Sequence, residues 1–185
     1  MNILLTGIAI LIGIHLLPGI PIFRNQLVTR LGLWPYKGLF AVIAFTGLVL
    51  VINGKASADM VIIWNAPDWS QVIPLAGMPI SFILIVAAYL PSNIKRFTPH
   101  PMLWGVTIWA VVHLASNGDL ASMILFGAIG VYALFDIWSA NTRGAKESDI
   151  ALAPAKDLIV IVLGLVMYIC VLVFHESLSG VSVLL

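Results

Sequence analysis

Four histidines, His15, His100, His113 and His175, and one cysteine, Cys170, are the residues here best suited to hold a transition metal. Neutral imidazole ligates iron through one ring nitrogen and titrates close to neutrality. Two of the histidines lie in HPMLWGVTIWAVVHLASNGDL, residues 100–120, among tryptophans and aliphatic residues, and His113 has no charged residue near it in sequence. A lone cysteine excludes an internal disulfide, a CxxC metal clip and covalent haem attachment through CxxCH, and Cys170 is expected to be a small apolar core residue. His100 precedes Pro101 at a first-turn position, where proline is well tolerated. It lies ~20 Å along a helix axis from His113 at 1.5 Å per residue, so those two cannot share one ion. His175, beside Glu176, is read as interfacial.

The elements that must position these side chains follow from composition. Hydrophobic residues make up 61% of the 185-residue chain and charged residues 9%, and the mean hydropathy is +1.09. Soluble domains carry about a quarter charged residues. The expected fold is an all-α integral membrane protein, one six-transmembrane-helix bundle spanning residues 1–185. The apolar blocks fall at about 2–22, 36–54, 71–91, 101–117, 119–138 and 157–177, against the roughly 20 residues a span requires. The first block has no basic leading region and no clear small-residue cleavage motif, so it is expected to be a retained helix. Arg24, Arg30, Lys37, Lys95, Arg96, Arg143, Lys146 and Lys156 all flank alternate loops, and only Lys55 falls on the other side. By the positive-inside rule both termini are expected on the non-cytoplasmic side. A formal net charge of +1 gives no reason to expect a nucleic-acid partner; the partner implied by composition is the lipid bilayer.

The loops carry further expectations. FRNQLVTRL, with Phe23, Leu27 and Leu31 at helical spacing, predicts a short helix lying on the membrane surface. DMVIIWNAPDW carries Trp64 and Trp69, suited to the interfacial aromatic belt. Pro74 and Pro79 are expected to distort the start of the third span. Asn117–Gly118 ends one helix and Asp119 caps the next, which predicts an antiparallel hairpin of the fourth and fifth spans. Asp136, ~25 Å along the fifth span from that turn, returns to the level of His100, and a pairing with His100 or Arg96 is expected there. The alternative is an acid that only snorkels to the interface.

This topology brings His15 and His113 to similar depth. Each lies ~18 Å inside its block from opposite membrane faces, so their depths differ by ~6 Å across a ~30 Å core. Intramembrane ionisable residues are functional candidates by default. A histidine pair from two helices can clamp a flat macrocycle, as in bundle cofactor sites. Trp109 and Asn117, one turn either side of His113, share its face and are candidates to wall and polarise such a pocket. The alternative is that each histidine donates a hydrogen bond to a helix carbonyl or hydroxyl and binds nothing.

HLLPGIPIFR with the following RLG, then YKGLF, and above all HPMLWGVTIWAVVHLASNGDLASMILFG resemble the NnrU family of bacterial membrane proteins over nearly the whole chain. That resemblance implies a multi-pass protein of the bacterial inner membrane, associated with denitrification. The family is similar to the plant zeta-carotene isomerase, an integral membrane enzyme whose b-type haem is held by two histidines. The similarity implies haem b as cofactor, His15 and His113 as the metal ligands, and a cis–trans isomerisation of an apolar polyene entering from the membrane. It also implies redox-dependent loss of one ligand, with iron acting as Lewis acid or electron donor; His15, followed by Pro18 and Pro21, is the expected leaving ligand. One departure matters: the isomerase pattern has a cysteine three residues before the second histidine, and this chain has Ala110 there. Two other readings stand beside it. HPMLWG resembles the RHPxYxG element of isoprenylcysteine-type membrane methyltransferases, which bind S-adenosylmethionine. His100, Pro101 and Gly105 match, but Thr98–Pro99 replaces the basic residue and Trp104 is displaced from the aromatic position. The non-catalytic reading is an assembly or accessory subunit for a nitrogen-oxide reductase or another membrane protein partner.

Overall fold

The computed structural model describes residues 1–180 as eight α-helices joined by short 3₁₀ turns and loops. Five helical segments are long and apolar enough to cross a membrane: residues 2–19, 33–56, 68–89, 120–142 and 154–173. The chain is thus a multi-pass, all-helical membrane protein. The expected sixth span, 101–117, is a 14-residue helix, Pro101–Leu114. At 1.5 Å per residue it measures ~21 Å, short of a ~30 Å hydrocarbon core. The described contacts divide the chain into two compact units, Met1–Val61 and Ile62 onward.

The first unit holds α1 (Asn2–Leu16), α2 (Pro21–Leu31) and α3 (Leu33–Ala56). Pro18 turns the end of α1 into a single 3₁₀ turn, Leu17–Gly19, and Pro21 opens α2 at its first position, where its missing N–H costs nothing. α2 is the helix expected in the first loop; Phe23 and Leu31 are exposed along it. α1 and α3 run antiparallel, with Leu4 facing Gly54 and Gly7 facing Val51. Gly54 is where the helices come closest: a Cβ there would lie 2.3 Å from the Leu4 amide nitrogen. Close approach through small residues is how helices associate in lipid, where apolar burial alone gives no preference for protein neighbours.

The second unit is built from α4 (Val72–Tyr89), α5 (Pro101–Leu114), α6 (Leu120–Thr142), α7 (Pro154–Val173) and the short α8 (His175–Ser179). α4 packs on both α5 and α7, and α5 on α6. The start of α4 stays helical across both prolines that were expected to distort it, and the Leu75 carbonyl, which Pro79 cannot bond, accepts from Tyr168 Oη at 3.3 Å. Pro74 falls in its first turn, where the amide has no helical partner, and the helix runs on through Pro79. Buried Ser81 donates from Oγ to the Gly105 carbonyl at 2.8 Å and ties α4 to α5.

The α5–α6 turn forms as the sequence predicts. Asp119 is buried and caps α6, accepting from the Ser122 amide at 2.9 Å and its hydroxyl at 2.5 Å. The Trp64 loop lies on this turn: the Ile63 amide donates to the Gly118 carbonyl at 2.8 Å. Gly118 leaves no room for a side chain, since a Cβ would fall 1.8 Å from the Trp64 carbonyl oxygen. Trp69 remains largely exposed, as an interfacial tryptophan would.

At the opposite end, Asn93 joins the α4–α5 loop to the start of α7. Its Nδ2 donates to the Leu152 carbonyl at 2.9 Å and Asp157 Oδ2 at 2.6 Å, and its backbone amide donates to Asp157 Oδ1 at 2.7 Å. Asp136 does not pair with His100 or Arg96. Its carboxylate accepts from Tyr132 Oη at 3.4 Å and faces Arg143 at 3.7 Å. Arg143 lies two helical turns further on, and its long side chain reaches back along α6 to the carboxylate. Cys170 is exposed rather than in the core. It sits on α7, which packs on α4 and leaves most of its apolar side chains uncovered.

Candidate functional site

His113 occupies the last turn of α5. Its Nδ1 lies 2.7 Å from the Trp109 carbonyl, four residues back. A carbonyl only accepts, so Nδ1 carries the proton and the neutral ring keeps its lone pair on Nε2. Two aromatic rings fix the imidazole plane. Phe126 of α6 stacks on it at 4.7 Å and 27°, and Trp109 stands 5.4 Å away. Trp109 and Phe126 meet edge to face at 4.8 Å, so the three rings form one cluster across the hairpin.

The backbone of His113 is held as firmly as its ring. Its carbonyl accepts from the Asn117 amide at 2.9 Å, the Asn117 side-chain Nδ2 at 2.8 Å and the Ser116 amide at 3.2 Å. Asn117 thus directs its side-chain N–H at the end of the helix and positions His113 through the main chain. Gln71 Nε2, from the turn before α4, reaches the Ser116 carbonyl at 3.4 Å.

His15 shows the same local chemistry in the first unit. Its Nδ1 donates to the Leu11 carbonyl at 2.7 Å, again four residues back. Phe40 of α3 presents its ring edge-on at 5.2 Å. His15 lies in the last turn of α1, immediately before the Pro18 turn. Both candidate ligands are therefore fixed in the tautomer that places the lone pair on Nε2. A ligating histidine characteristically shows this arrangement, with the second nitrogen donating to a carbonyl or carboxylate.

His100 is placed apart from this chemistry. Its Nε2 lies 2.8 Å from Asn141 Oδ1 at the far end of the α5–α6 pair. The cleft beside it, about 510 Å³, is lined by Phe97, Trp104, Asn141 and Lys146 among others. His175 has Ser179 Oγ 3.0 Å from its Nδ1. Among the described residues no group of three or more His, Cys, Asp or Glu side chains converges on a metal-sized site. A cofactor that brings most of its own donors needs only one or two protein ligands, which fits the histidines present.

A protein-family model described as "NnrU protein" matches residues 3–183. The chain belongs to the NnrU family. Comparison with curated proteins and with solved structures finds no match. In this NnrU-family chain the sequence pointed to His15, His113, Trp109 and Asn117 but not to Phe126 or Phe40. Phe126 was within reach of the hairpin argument: it stands seven residues after Asp119, as His113 stands six before it, so the turn sets them face to face. Phe40 has no comparable signal, because α2 lies between α1 and α3 and no tight turn sets their register.

Proposed function

We propose that this NnrU-family protein is a six-pass protein of the bacterial inner membrane, with both termini outside the cytoplasm. It binds haem b through His113 and His15 and isomerises a cis double bond of an apolar polyene taken from the bilayer, in a role tied to denitrification. The observation that carries the reading is the seating of the His113 ring against Phe126 and Trp109, beyond the Nδ1–H bond to the preceding turn that it shares with His15 and that a non-binding histidine would also make. Α5 serves as the short sixth span, extended by its flanking turns. Haem, when bound, would supply an iron able to act as Lewis acid or electron donor to the polyene.

The residues divide the work unequally. His113 is the fixed ligand: Trp109 and Phe126 hold its ring plane, and Asn117 and Ser116 hold its carbonyl. The same rings present an apolar, water-excluding wall suited to a hydrocarbon chain. His15 is the releasable ligand, because its helix passes into the Pro18 3₁₀ turn, whereas the carbonyl of His113 is capped by Ser116 and Asn117. Ala110, fully buried against α6 near Gly130, offers no sulfur, so ligand exchange at that position has no part in the activity.

The test is isomerisation by the purified protein in liposomes containing a cis-polyene, followed by absorption under anaerobic conditions. Conversion is expected only after dithionite reduction and only in haem-loaded protein. Equal conversion by oxidised and reduced protein, or none under either condition, would overturn the reading.

A further inference from the structure

Tyr36, in the first turns of α3, carries a hydroxyl that is buried and has no hydrogen-bond partner. Its side chain is only 7% exposed. A buried hydroxyl left unpaired costs about 1–3 kcal/mol, so its retention calls for an acceptor. Ser70 and Ser92 also have unpaired buried hydroxyls, but a serine hydroxyl can turn onto a nearby main-chain carbonyl. The phenol of Tyr36 stands at the tip of a rigid ring and cannot reach its own backbone. Its partner must come from elsewhere.

Two further observations say what that partner is. The Tyr36 ring lies 6.5 Å from Phe40, and Phe40 lies 5.2 Å from His15, so a chain of rings links the phenol to the candidate ligand within the first unit. The same end of this unit is also uniformly basic. Arg24, Arg30 and Lys37 lie on α2 and early α3, while no Asp or Glu occurs before Asp59. α2 packs back against α3, which keeps those cations at the Tyr36 end. A hydroxyl donor in a positive field is an environment for a carboxylate.

We infer that Tyr36 and the adjoining basic residues form a carboxylate subsite, with Tyr36 Oη donating to a propionate of the haem that His15 ligates. The inference rests on the haem reading above and assigns the end of the molecule to which the acidic edge of the cofactor turns. Tyr36 is a binding residue here, and the cations supply a screened, longer-range attraction rather than a fixed pair.

The experiment compares wild type with Tyr36→Phe, which keeps the ring and removes only the oxygen. Haem dissociation into excess apomyoglobin is followed by absorption, and the melting temperature of the haem-free protein is measured in the same detergent. Tyr36→Phe is expected to release haem roughly tenfold faster, the fold-change of one hydrogen bond to a charged group. Its haem-free form is expected to melt no lower than wild type, because an unpaired hydroxyl has been removed. Equal release rates would overturn the carboxylate subsite while leaving the haem reading intact. A lowered melting temperature of the haem-free variant would also overturn it, by making the hydroxyl structural. Wild type that binds no haem would remove both.

Discussion

Purified His113→Ala protein is expected to contain less than a tenth of the haem of wild type, whereas His15→Ala retains most of its haem in an altered coordination state. The asymmetry follows from how each ring is held. The His113 imidazole is bonded to Trp109 and stacked on Phe126, and the residue's own carbonyl is capped by donors from Ser116 and Asn117. Its ordering has been completed in the fold, and little further entropy is lost when it binds. His15 shares the hydrogen bond to the preceding turn and lies near the Phe40 ring, but the Pro18 3₁₀ turn follows it where Ser116 and Asn117 cap His113. Haem content by the pyridine haemochromogen method measures both variants. Equal loss in the two would contradict the division into fixed and releasable ligands.

The second large effect concerns folding. Gly54→Val is expected to reduce the yield of monodisperse protein severely, as judged by fluorescence-detected gel filtration. A Cβ at Gly54 would meet the Leu4 nitrogen at 2.3 Å, Leu4 Cα at 2.5 Å and the Ile3 carbonyl carbon at 2.9 Å. All three are backbone atoms, so no side-chain rotation relieves the clash and α1 must move away from α3. Overpacking of this kind costs about 1–3 kcal/mol where side chains give way, and more where only backbone can. Gly38→Val on the same helix is the control. Nothing lies within 4 Å of a Cβ at Gly38, so that variant is expected to behave as wild type. A normal yield for Gly54→Val would show that the two helices do not pack at this crossing.

Hydropathy made the helices legible, because residues that must face lipid are apolar over a whole span. The α5–α6 turn was equally legible: Asn-Gly-Asp has local chemistry that acts within four residues. Pairing between distant polar groups was harder to read. Asp136 was at the right depth for His100, but depth along an axis says nothing about azimuth, and the acid turned to Arg143 on its own helix. Cys170 was misplaced for a related reason. In a membrane protein an apolar residue gains as much from lipid as from a core, so hydrophobicity no longer predicts burial, and Cys170 is exposed. The length of α5 was overestimated because Ala115–Ser116 reads as helix but unwinds to meet the Trp64 loop at Gly118. At the candidate site, spacing identified the two histidines, whereas the aromatic rings against them depend on interhelical register that one sequence does not encode.

The central claim is that two Nδ1-protonated imidazoles present Nε2 to one iron. Low-temperature electron paramagnetic resonance of the oxidised, purified protein measures this directly. A low-spin ferric signal of the bis-imidazole type is expected, replaced by a high-spin signal in His15→Ala. A high-spin signal in wild type, a low-spin signal unchanged by His15→Ala, or protein without haem would contradict the claim.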